Sequence, residues 1–171
     1  MPELDSFTIA LKTPVGEIRG NWKPDRKERD AAWEMYVELV TRISVVELKP
    51  GEGLLREALS SLYTLFDTTR GILRKYGPEV AKPKRGGDMS FGRIAVIVLN
   101  DVIRPVLAKW HPLLLDYEKK KSDSVSLLEH EKQWDNYEKL REVIEYTRTV
   151  LKEYSDILAK VAKIPPLISS D

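Results

Sequence analysis

Arg93, Asn100, Arg104 and His111 are the residues of this chain whose types and spacing suit them to chemistry. An ideal helix turns about 100° per residue, which puts these four within about 40° of one another. Ile94, Val98, Val102, Val106 and Trp110 then point elsewhere. Two guanidiniums, an amide and an imidazole in line can cradle a phosphate or carboxylate, because arginine grips such anions with paired N–H donors. The ordinary alternative is the wet strip of a core helix, with arginine stems reaching water. A solvated face normally carries more charge per turn than this one. The four residues are therefore the candidate ligand-binding set, and Arg104 with His111 is the candidate catalytic pair.

A second candidate lies in "RKYGPEVAKPKRGGD", where Lys82, Lys84 and Arg85 precede Gly86-Gly87 and a helix start. Free backbone N–H groups beside cations can hold an anion, so Lys82, Lys84 and Arg85 form a candidate anion-binding loop. No Gly-Lys-Ser/Thr comes after it, and the spacing is not a Walker loop. His130, Glu131 and Asp135 have metal-ligand side chains, but the chain holds only two histidines and no cysteine. No metal site and no cofactor is expected. Lys119, Lys120 and Lys121 are too short a basic run for nucleic acid. No serine–histidine–acid set or glycine-rich nucleotide turn is present.

"RPVLAKWH", Arg104 to His111, resembles the arginine-x(4–6)-histidine motif of HEPN-type ribonucleases, which are all-helical domains of similar size. The resemblance covers eight residues, departs from the family at Pro105, and does not open the last long helix. It implies a dimer in which arginine and histidine of two chains meet and cut RNA without metal. Arg104 would stabilise the phosphorane charge and His111 would move the protons.

The elements that must position these groups are mostly helical. Phe7, Ile9 and Leu11 alternate with Thr8, Ala10 and Lys12, and Thr13-Pro14-Val15-Gly16 is turn chemistry, so 7–22 is predicted as a β-hairpin. Ala32, Trp33, Tyr36, Leu39, Val40 and Ile43 mark a helix over 24–46. Leu55, Leu59, Leu62, Phe66, Thr69, Leu73 and Tyr76 mark a second over 52–76, stopped by Gly77-Pro78. Residues 77–90 read as a long mobile loop. A third helix spans 90–118 and should kink at Pro105 or Pro112. The fourth spans 126–163, opening on the Ser126-x-x-Glu129 capping box, roughly 55 Å of continuous helix. Trp22, Trp33, Trp110 and Trp134 read as core aromatics. The expected fold is a single all-α domain over 1–171, a four-helix bundle with a kinked central third helix, a long C-terminal helix and a short N-terminal hairpin.

Composition narrows the function further. A chain of 171 residues buries about 70% of its extended surface, enough for one core without disulfides. A net charge of +1 gives no overall field toward nucleic acid or membrane. The N-terminus lacks a signal-peptide pattern, and the longest apolar run, Ile94–Leu99, is far short of a membrane span. The absence of cysteine suits a reducing cytoplasm. The leading expectation is a cytoplasmic, non-enzymatic interaction or adaptor module of a bacterial signalling or antiviral defence system. It would bind a protein partner or a second copy through the hairpin edge or a protruding last helix. The alternatives are the HEPN-like ribonuclease and a sensor of a small anionic ligand such as a nucleotide.

Overall fold

A computed structural model describes residues 5–42 and 44–168 of the chain. It is mostly helical with one small antiparallel hairpin. The hairpin pairs β1 (Phe7–Thr13) with β2 (Gly16–Trp22), Phe7 opposite Trp22 and Thr13 opposite Gly16. Ile9, Leu11 and Thr13 face inward and Thr8, Ala10 and Lys12 outward, the alternation the sequence predicts. β1 lies against the last helix.

Helix α1 (Arg26–Val40) starts with a capping box: Asp25 accepts from the Glu28 N–H, and Glu28 accepts from the Asp25 N–H. It ends at Val40, short of the predicted residue 46, and Ser44 and Val45 turn inward in the segment beyond it. Ile43, assigned to this helix's stripe from the sequence, lies outside the described residues. Trp33 is 42% exposed, so it is not the core aromatic its spacing suggests. Trp22 and Trp110 are buried.

Helix α2 (Leu55–Tyr76) buries Leu55, Leu59, Leu62, Phe66 and Thr69 as predicted. Its start is unusual, because Leu54 at the N-cap offers no side-chain acceptor. Glu131, distant in sequence, takes that role: the Leu55 N–H donates to Oε2 at 2.8 Å and the Arg56 N–H to Oε1 at 3.2 Å. Gly53 just before it needs φ +74, and a Cβ there would meet Leu48 Cδ1 at 2.7 Å.

Residues 77–90 are tied down at several points rather than forming a free loop. Pro78–Ala81 makes a 3₁₀ turn that buries Val80. The Asp88 and Met89 N–H groups donate to the Asn21 carbonyl, extending the edge of β2.

The predicted third helix is a composite of α3 (Phe91–Ile97), a π turn (Val98–Ile103) and α4 (Arg104–Glu118). Proline lacks an N–H, and in regular α-helix its ring collides with the carbonyl four residues back. Here the strain is met by one widened turn, in which the Arg104 N–H reaches the Leu99 carbonyl five residues back, so that Pro105 falls in the first turn of α4. Pro112 sits inside α4.

The predicted 126–163 helix is two helices, α5 (Leu127–Lys132) and α6 (Tyr137–Val161). Ser126 and Glu129 form both halves of the predicted capping box. No glycine or proline interrupts 127–161, so tertiary contacts end α5. His130 stacks on Tyr117 at 4.0 Å and donates from Nε2 to the Tyr117 carbonyl, while the Tyr117 hydroxyl donates to the His130 carbonyl. Trp134 stacks on the other side of the same tyrosine. Helix α6 is therefore about 38 Å long and packs on α1 and β1 rather than protruding.

Two fully buried carboxylates hold these pieces together. Glu28 accepts from Trp22 Nε1 at 3.0 Å, the Asp25 N–H at 3.0 Å and the Phe91 N–H at 3.1 Å, joining the hairpin, α1 and α3. Glu131 joins α5 to α2. Burial raises both pKa values, against the pull of the donated N–H groups. Glu131→Ala leaves two buried N–H groups without an acceptor and should cost about 2–4 kcal/mol in urea unfolding. A raised folded pKa contributes stability that is fully present below the unfolded pKa and lost as pH rises through the folded one. The stability gap between wild type and Glu131→Gln should therefore widen as pH falls from about 7 to about 4. A constant gap would mean that Glu131 does not titrate differently in the folded chain.

Candidate functional site

A groove of about 660 Å³ runs between residues 44–55 and α6 and continues down to the first turn of α2. The 44–55 wall is held in place from α6. Arg141 stacks over Tyr137 and donates to the carbonyls of Glu52 at 3.2 Å and Lys49 at 3.4 Å. At the upper end the Ser44 and Ser61 hydroxyls pair at 3.0 Å. The groove's apolar surface includes Val46, Leu48, Leu54, Leu55, Ile144 and Tyr146.

Its charged surface is acidic. Glu47 and Glu52 stand on the loop wall, and Glu138, Glu142 and Glu145 on α6. The two arginines of the lining are engaged, Arg141 as above and Arg148 in a fork to Glu145, whose pKa it lowers. Among the described residues, Glu47, Glu52, Glu138 and Glu142 make no ion pair. No histidine lines the groove.

The four residues of the predicted polar stripe are all exposed. The π turn departs from the constant turn of about 100° per residue on which that alignment rests. Arg93 donates to the Asp88 carbonyl at 2.9 Å. Arg104 donates to Asn100 Oδ1 at 3.1 Å and lies over the Phe66 ring. His111 accepts at Nδ1 from Arg56 at 2.9 Å, which places its proton on Nε2. Arg56 also forks onto both oxygens of Glu118. Asn100 and Arg104 are thus brought together, while His111 belongs to a separate network.

Arg104 also lines a cavity of about 260 Å³ with Tyr63, Phe66, Asp67 and Arg70. Arg70 is paired with Asp67 there.

The lysines of the predicted anion loop serve the fold. Lys82 pairs with Glu79 at 2.9 Å. Lys84 pairs with Asp25 at 2.9 Å and donates to the Glu79 carbonyl; against the effect of burial, the pairing raises the lysine's pKa and lowers that of Asp25. Arg85 is exposed. Among the described residues no group of three or more histidines and acids is placed to hold a metal ion, and no helix is long and apolar enough to cross a membrane.

No protein-family model matches this chain, and neither a curated protein nor a solved structure does.

The groove is the feature that sequence reasoning misses. Its two walls are some ninety residues apart in the chain, and the acids at 138, 142 and 145 blend into the alternating-sign pattern of α6. Their i, i+4, i+7 spacing is the one local signal of a shared face.

The networks around His111 predict an asymmetry. His111→Ala should change stability by less than about 1 kcal/mol, since the ring is exposed. Arg56→Ala leaves the mostly buried Glu118 carboxylate unpaired and should cost about 1–3 kcal/mol in the same denaturation assay. Equal effects would mean that the Arg56–Glu118 fork contributes nothing.

Proposed function

We propose that this chain is a non-enzymatic helical interaction module that docks a protein partner in the groove between residues 44–55 and α6. The scaffold is read as a four-helix bundle, with α1, α2, α6 and the composite rod 91–118 as its members. The observation that carries the reading is the groove itself: about 660 Å³, with apolar walls, charged edges and no histidine in the lining. Grooves of this kind take up amphipathic segments of other proteins. Modules of such size commonly accompany effector domains, and a cytoplasmic bacterial signalling or antiviral defence system is the setting proposed here by analogy.

The ribonuclease alternative would need Arg104 of one chain to meet His111 of another, since within one chain they serve different partners. The anionic-ligand alternative would use the stripe of Arg93, Asn100, Arg104 and His111, of which Asn100 and Arg104 share a hydrogen bond.

Thr149 is exposed on the groove's α6 wall, so Thr149→Trp fills the groove without touching the core. A partner retained by the tagged wild-type chain from its native lysate should be lost with Thr149→Trp. Equal retention by both proteins would refute the groove as the docking site. The purified chain should leave RNA intact in EDTA; cleavage abolished by His111→Ala would establish the ribonuclease instead.

A further inference from the structure

The groove's charge pattern specifies the chemistry of what it takes. We infer that its occupant is a basic amphipathic helix of a partner protein, an inference that rests on reading the groove as a docking site. Glu138, Glu142 and Glu145 line the α6 wall at i, i+4 and i+7 along about two turns, and Glu47 and Glu52 line the opposite wall. The same two walls also contribute the apolar side chains of Leu48 and Ile144.

A helix laid along α6 repeats its own side chains at i, i+4 and i+7, so lysines or arginines on its flank fall in step with Glu138 and Glu142, whose carboxylates make no ion pair among the described residues. Its apolar stripe then faces the apolar side chains of the walls. The two lining arginines offset part of this field, Arg148 forked onto Glu145 and Arg141 held on the backbone of residues 49 and 52, and among the described residues Glu47, Glu52, Glu138 and Glu142 are left without an ion pair. An acidic segment would meet repulsion from both walls, and a purely apolar one would leave the carboxylates without partners. An extended strand fits less well, since its period of two does not match glutamates spaced by three and four.

The probe is a synthetic two-heptad leucine/lysine helix carrying a fluorophore, with a leucine/glutamate helix of the same pattern as its counterpart. Fluorescence anisotropy with the full chain should show binding of the lysine helix that weakens as salt is raised. The combined variant Glu138→Lys and Glu142→Lys should reduce its affinity by about tenfold or more, while Thr149→Trp should abolish it. Circular dichroism on both variants confirms that they are folded. Should the two helices bind equally well, both sensitive to Thr149→Trp, the charge inference is overturned while the docking groove stands. Should neither helix bind, or should binding ignore Thr149→Trp, the groove reading falls together with the inference. Binding of the lysine helix that is unchanged by charge reversal would also overturn the charge inference.

Discussion

The fold depends on buried carboxylates that cap helices other than their own. The first turn of a helix leaves backbone N–H groups without partners, and inside a protein each one needs an acceptor. Glu131 supplies two acceptors to α2, whose own N-cap residue, Leu54, has none to give. Glu28 gives one to α3 while completing the capping box of α1 and receiving the Trp22 indole. Burying an ionised group is costly, and a partial positive charge at a helix start offsets only part of that cost. The upward displacement of both pKa values expresses that remainder. In exchange, each carboxylate fixes the relative placement of elements far apart in the chain.

The groove is a consequence of this arrangement. Glu131 anchors the first turn of α2 against α5, and Arg141 draws residues 49–52 toward α6. Residues 46–54 lie between these anchors with none of them buried, and they form one wall of the groove. From α6, Arg141 donates to the Lys49 and Glu52 carbonyls of this wall. Such a segment belongs to the low-stability part of a fold and can adjust to a guest, whereas the opposing wall is a regular helix. One adaptable wall against one rigid wall suits recognition of a side-chain pattern better than the positioning of a reaction, which requires groups held on both sides.

What the sequence made legible was local. The hairpin's alternation, the apolar stripe of α2 and the Ser126–Glu129 capping box are each encoded within a few residues, and each recurs in the structure. What escaped was decided over long distances. The periodicity of residues 126–163 continues without a breaker, yet Tyr117, His130 and Trp134 stack and end the helix at Lys132. Residues 77–90 look polar and glycine-rich, but Val80 and Met89 are buried and Asn21 holds the loop's end. Trp33 keeps the spacing of its neighbours and still lies at the surface, where it lines a shallow cleft between α1 and α2. No pattern within α2 announces that Glu131 caps it.

The polar stripe shows why a helical wheel is weakest where the residues look most interesting. Its alignment assumed a constant turn through Pro105, the residue that regular α-helix accommodates worst. The π turn restores the hydrogen bonding, keeps Val98, Leu99, Val102 and Ile103 buried, and leaves Asn100 and Arg104 outside as neighbours. Val106, Leu107, Trp110 and Leu114 then resume the inward face. Arg93 and His111 are left to partners near each end of the rod, the Asp88 carbonyl and the Arg56–Glu118 fork. Arg93 and His111 are therefore committed to holding the fold, whereas Glu138 and Glu142 on α6 make no ion pair among the described residues.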